Sequence, residues 1–244
     1  MIIKQRISIF AFLVIRLTTA FISPNQIGQQ QRQIATPLPL NVVSLKPAAI
    51  PLMDSGKAFA RSGEFLIDVT SKIELYGGAL SAAGALIRNS GDCLAQAGAS
   101  SRFKTGLELV CDELREAATC LDEATSKLEL AAREANADDN ERLGGLLEES
   151  IPTIAGMATT LEAAGCAILQ GKTEKEVGEN FLKCSEYMET FTAQVKSYAP
   201  ELDESSNAGQ RMELAHELMR NAASKLTGDP PKSIKPKGKA WIKG

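Results

Sequence analysis

The stretch LIDVTSKIELYGGALSAAGALI, residues 66–87, decides how the chain is read. Leu66, Val69, Ile73, Tyr76, Leu80, Ala83 and Ile87 alternate spacings of three and four, the a/d stripe of a long packed helix. The same register returns 81 residues later at Leu147, Ser150, Ile154, Met157, Leu161, Ala164 and Ile168, with one polar replacement. LSAAG at 80–84 aligns without a gap on LEAAG at 161–165, and Gly63 falls on Gly144. Shared phase and ungapped alignment predict an internal duplication.

Each of these stripes is followed by another. Leu107, Val110, Leu114, Ala117, Leu121, Ala124, Leu128 and Ala131 form the second helix of the first unit. Val177, Phe181, Cys184, Met188, Phe191, Val195 and Tyr198 form that of the second. A fifth helix, about 208–226, runs on Met212, Ala215, Met219, Ala222 and Leu226. Turn residues punctuate the chain as NSGD at 89–92, GASS at 98–101, ADDN at 137–140, QGKT at 170–173 and YAPELDESSN at 198–207. Pro152 lies inside the third stripe, so that helix either starts near Ser150 or is kinked there. Only 5% of the chain is aromatic and alanine is abundant, which favours close-packed helices over a sheet. The expected fold is all-α: an antiparallel bundle of four to five long helices over 54–227, built from a duplicated hairpin (units about 63–133 and 144–198). Alanines at 83, 117, 124, 131, 164 and 215 and glycines at 77, 78, 84 and 165 are expected to let helices approach closely.

The net charge of −3 conceals three zones. Residues 1–53 contain five basic residues and no acid, 54–226 contain 17 basic and 29 acidic residues, and 227–244 contain five lysines and one aspartate. An acidic body repels a phosphate backbone, so no nucleic-acid binding is expected through the folded part. The tail, 228–244, alternates lysine with proline and glycine and is read as disordered. Lys235, Lys237, Lys239 and Trp241 are its candidate docking residues, for a protein groove or for peripheral contact with a membrane.

No pattern of catalytic residues stands out. There is no glycine-rich phosphate loop after a strand and no GxSxG elbow. The one histidine, His216, closes an ExxH with Glu213, but a di-iron bundle site needs two such motifs. His216 is read as a surface or boundary residue beside its core stripe. Cys93, Cys111, Cys120, Cys166 and Cys184 include no CxxC and are odd in number, and buried reduced thiols are expected. A redox pair among Cys93, Cys111 and Cys166 is the alternative. The expectation is a protein that is not an enzyme and has no cofactor and no metal.

The N-terminus carries an address. Lys4 and Arg6 precede an apolar run over 7–15, and Thr18 and Ala20 supply the small residues of a signal-peptidase site. Cleavage between Ala20 and Phe21 leaves a segment over 21–53 rich in Gln, Ser, Thr and Pro. A signal peptide over 1–20, a phenylalanine at its exit and a transit-like segment resemble the bipartite presequences of algae with red-derived secondary plastids. The resemblance covers about the first 50 residues. It implies delivery to a plastid, with the stroma favoured because no second apolar signal follows. The function expected is that of a binding, scaffold, assembly or accessory subunit with a protein partner. The alternatives are a secreted or endomembrane helical protein and a lipid or pigment carrier.

Overall fold

A computed structural model describes residues 43–70, 73–103, 106–198 and 207–229. Residues 1–42 of the expected presequence, the tail beyond 229 and the candidate residues Ala20, Phe21, Lys235, Lys237, Lys239 and Trp241 lie outside them. The described residues form an all-α bundle. After a short 3₁₀ turn at Lys46–Ala48 come α1 (Ala49–Thr70), α2 (Gly77–Ser100), α3 (Leu107–Ala137), α4 (Glu141–Leu169), α5 (Glu174–Tyr198) and α6 (Asn207–Thr227). Each helix packs on the next, and α6 closes the ring on α1.

Six helices replace the four to five expected, because the stripe over 66–87 belongs to two of them. Leu66 and Val69 end α1, and Leu80, Ala83 and Ile87 lie on α2. The chain reverses between them, with the Ile73 N–H donating to the Thr70 carbonyl. Gly77 passes so close to that carbonyl that a Cβ would lie 2.5 Å from it. The ungapped alignment of 66–87 on 147–168 therefore pairs a helical hairpin with the single helix α4, so the two repeat units do not share one architecture.

The turn at NSGD is also corrected, since 89–92 lie inside α2. Their glycine serves packing. Along the α1–α2 seam, 53 meets 98, 56 meets 95, 60 meets 91, 63 meets 88 and 67 meets 84, an antiparallel register. A Cβ on Gly56 would lie 2.3 Å from the Ala95 nitrogen, and one on Gly91 2.3 Å from the Ala60 nitrogen. The two backbones touch, and only hydrogen fits between them. Of the four glycines expected on a thin surface, Gly84 lies on this seam, Gly77 is in the reversal, Gly165 packs tightly on the Cys111 carbonyl of α3, where a Cβ would lie 3.3 Å away, and Gly78 faces open space. Glycine in a helix costs ~1 kcal/mol relative to alanine, and here backbone contact along two helices offsets it.

The fold begins earlier than expected. Leu45, Ala48 and Leu52 are buried, so 43–53 belong to the bundle and not to the transit-like segment. Pro47 and Pro51 each lie in the first turn of a helix, where a missing N–H is tolerated.

GASS at 98–101 is the last turn of α2, YAPELDESSN lies mostly outside the described residues, and the turns at 137–140 and 170–173 fall where expected. At 170–173, Gly171 has φ 64° and its N–H donates to the Ile168 carbonyl, while the Lys172 N–H donates to that of Ala167. Thr173 and Glu176 then cap α5 reciprocally: the Thr173 N–H donates to the Glu176 carboxylate at 2.9 Å, and the Glu176 N–H donates to Thr173 Oγ1 at 3.3 Å. At the α3–α4 turn Asp139 takes φ 58°, and Asn140 Oδ1 accepts from the Leu143 N–H.

The stripes of α3 to α6 face the core as expected through Val195 on α5, with Leu107 half-buried and the Tyr198 side chain outside those described. Ser150 is buried on the α4 stripe, and its hydroxyl donates to the Leu147 carbonyl. α4 runs unbroken through Pro152, whose ring is exposed. By length and composition α4 could cross a membrane, but in the bundle 56% of its most apolar window is buried.

Candidate functional site

The described residues that stand out sit at one end of the ring. This end carries the entry at Val43, the α2–α3 and α4–α5 turns and the exit at Gly228. The Ser44 N–H donates to Glu174 at 3.0 Å, and a Cβ on Gly178 would meet Leu226, so both chain ends are tied to the start of α5. A recess of about 410 Å³ lies here between 43–46 and 101–107. Val43, Leu45 and Leu107 line it, Lys46 and Arg102 stand at it, and Phe103 is 67% exposed beside them. Ile50 (57% exposed), Leu109 (52%) and Leu169 (51%) are exposed at the same end, on the starts of α1 and α3 and at the end of α4.

The signal for this end was present in the sequence but ambiguous. Phe103 follows GASS, where an apolar residue in a turn has no helical partner to bury it. Nothing in a one-dimensional pattern brings 43–46 beside 101–107.

A second concavity, of about 420 Å³, runs outside α3 and α4 between Arg115, Thr119, Asp122, Thr159 and Glu162. Its charges are of both signs and its floor is Ala118 and Ala158.

The five cysteines are free thiols. Burial pushes Cys93 up to about 12, with Cys120, Glu113, Glu116 and Asp92 adding to it. Burial likewise raises Cys111 to about 11 and Cys184 to about 12, the latter opposed by a hydrogen bond with Thr160. Burial also raises the Glu113 carboxyl, against a hydrogen bond from the Cys93 thiol. Thiols held so far above neutrality are poor nucleophiles. Cys93 and Cys120 interact across α2 and α3, and Cys111 with Cys166 across α3 and α4.

His216 differs from expectation. It is only 8% exposed, with the Met212 backbone one turn earlier in α6 as its polar neighbour. α6 is wedged between α5 and α1, which buries a wider stripe than one neighbour would. Ser55 of α1 even donates to the Ala215 carbonyl at 2.7 Å. Burial lowers the pKa of His216, Arg220 adds to this, and Glu189, Glu217 and a hydrogen bond with the Met212 backbone oppose it. Glu213, its ExxH partner, pairs with Lys196 of α5. Among the described residues no group of three His, Cys, Asp or Glu is placed to hold a metal ion.

Compared with known proteins, the chain matches no family model, no curated protein and no solved structure.

Proposed function

We propose that this chain is a non-enzymatic plastid protein whose helical bundle works by binding, as a scaffold, assembly factor or accessory subunit. The observation that carries this reading is the gathering of Phe103, Ile50, Leu109 and Leu169 at one end of a tightly packed bundle. Clustered exposed apolar side chains mark surfaces that meet another molecule, whereas isolated ones are ordinary. The α1–α2 seam supports a scaffold over a carrier that opens there, since parting it would strip backbone from backbone along both helices. Free thiols with raised pKa values suit a reducing compartment, which favours a stroma over the secretory path.

The test is a fluorescent fusion of the full chain in an alga with a secondary plastid, beside a Phe21→Arg variant. The expected result is plastid fluorescence for the parent and arrest outside the plastid for the variant. The plastid-borne protein should also migrate on native gels well above the size of one chain. Accumulation of both fusions in the secretory path would overturn the address, and migration as a free monomer would overturn the scaffold role.

A further inference from the structure

We infer that the end bearing Phe103 is a membrane-docking face, built to seat on an anionic lipid surface. This rests on the binding role above and names what that end binds. The first support is the pairing of apolar and cationic groups. Phe103, Ile50, Leu109 and Leu169 project at this end, and Lys46, Arg102, Lys172, Lys175 and Lys225 are exposed on the same turns and helix ends. Four carboxylates share the region. Glu108, Glu174, Glu176 and Asp229 stand against those five cations, Glu176 paired with Lys172 and Glu174 accepting from the Ser44 N–H, so the end keeps a slight excess of positive charge. An aromatic residue flanked by cations is suited to an interface where acyl chains meet phosphate headgroups.

The second support is the polarity of the bundle. Among the described residues the opposite end carries Asp68, Glu74, Glu134, Asp138, Asp139 and Glu141 against Arg133, Arg142 and Lys196. An anionic surface would attract one end and repel the other, setting the bundle upright and leaving its flanks free for a protein partner. The third is connectivity. The chain leaves the bundle at this same end, and its sequence then supplies five lysines after residue 229. Those lysines share the sign of Lys46 and Arg102, so the recess is a poor seat for the tail itself.

The experiment is sedimentation of the purified full chain with vesicles of phosphatidylcholine, alone or mixed with phosphatidylglycerol. Binding should appear with phosphatidylglycerol only and weaken as salt rises. Lys46→Glu with Arg102→Glu should weaken it about tenfold or more, each cation at such a surface contributing about a fivefold factor. Phe103→Ser should weaken it without changing the fold, since the side chain is exposed. Leu75→Ser and Leu214→Ser, in exposed apolar residues near the opposite end, should leave it unchanged. Binding that survives the Phe103 and Lys46/Arg102 changes but disappears on removal of 230–244 would overturn the docking face. No binding even at low salt, or equal binding to both vesicles, would do the same, and in the first case a protein partner would be sought at this end. The assay needs no organelle, so a failed import experiment and a failed vesicle experiment are separable.

Discussion

Gly63 of α1 and Gly84 of α2 face each other across the seam. A Cβ on Gly63 would lie 2.4 Å from the Gly84 carbonyl oxygen, and one on Gly84 2.9 Å from the Gly63 carbonyl oxygen. The α-hydrogens occupying those directions point at the opposing carbonyls, a geometry of weak C–H···O contacts. The glycines of this seam thus act by what they lack.

The sign of a glycine-to-alanine change should follow from this. Gly91→Ala and Gly56→Ala must push backbone from backbone and should destabilise by about 1–3 kcal/mol, in spite of alanine's better helix propensity. Gly145→Ala, which faces open space in α4, should stabilise by about 0.5–1 kcal/mol. Urea midpoints at constant slope decide the matter, and equal shifts of one sign at all three positions would refute the seam.

Pro152 offers no N–H to the Glu148 carbonyl, and beside that gap Gln194 of α5 donates its Nε2–H to the Glu149 carbonyl at 2.8 Å. Pro152→Ala should stabilise the protein by about 2 kcal/mol, since the ring is exposed and an interior helix bond is regained. Gln194→Met should cost about 1 kcal/mol in the parent. A double-mutant cycle should show the two changes coupled. Strict additivity would mean that Gln194 serves α4 independently of the proline.

His216 gives the protein a signed pH dependence. Its folded pKa lies below the ordinary 6.5, so the unfolded chain binds more protons between the two values. Stability should be intact above about pH 6.5 and fall as pH drops through that window, the loss being complete below the folded pKa. Unfolding at about pH 7.5 and about pH 5.5 should show this, and His216→Leu should flatten the difference. A slope unchanged in the variant would assign it to carboxylates.

Thiol labelling should follow burial. Cys166, partly exposed, should react with iodoacetamide first in the native protein. Cys111 and Cys184, buried and raised to about 11 and about 12, should react only as the bundle unfolds. Early labelling of Cys184 would contradict its place between Thr160 and the core.

Much of the fold was legible because apolar periodicity reports which side of a helix is buried. The stripes of α3, α4, α5 and α6 are core faces, and ADDN and QGKT end helices through residues able to take positive φ. Even in 66–87 burial was read well: Leu66, Val69, Tyr76, Leu80, Ala83 and Ile87 are buried and Ile73 partly so. What the pattern could not carry was direction. Leu66 and Leu80 are two heptads apart, so a stripe that reverses between α1 and α2 keeps the phase of one that does not.

The sequence by itself determined the class of the fold, most helix limits and the separation of an acidic body from basic ends, since these follow from local composition and spacing. Only the tertiary structure decided that Gly56, Gly63, Gly84, Gly91 and Gly98 are a seam and not a set of turns. It also decided that His216 is buried and that 43–46 meet 101–107 to form one end of the ring. The physical reason is the same in each case. A glycine, a boundary histidine or an apolar turn residue has no preference strong enough to choose its own surroundings, and its role is set by the partner that packing brings to it.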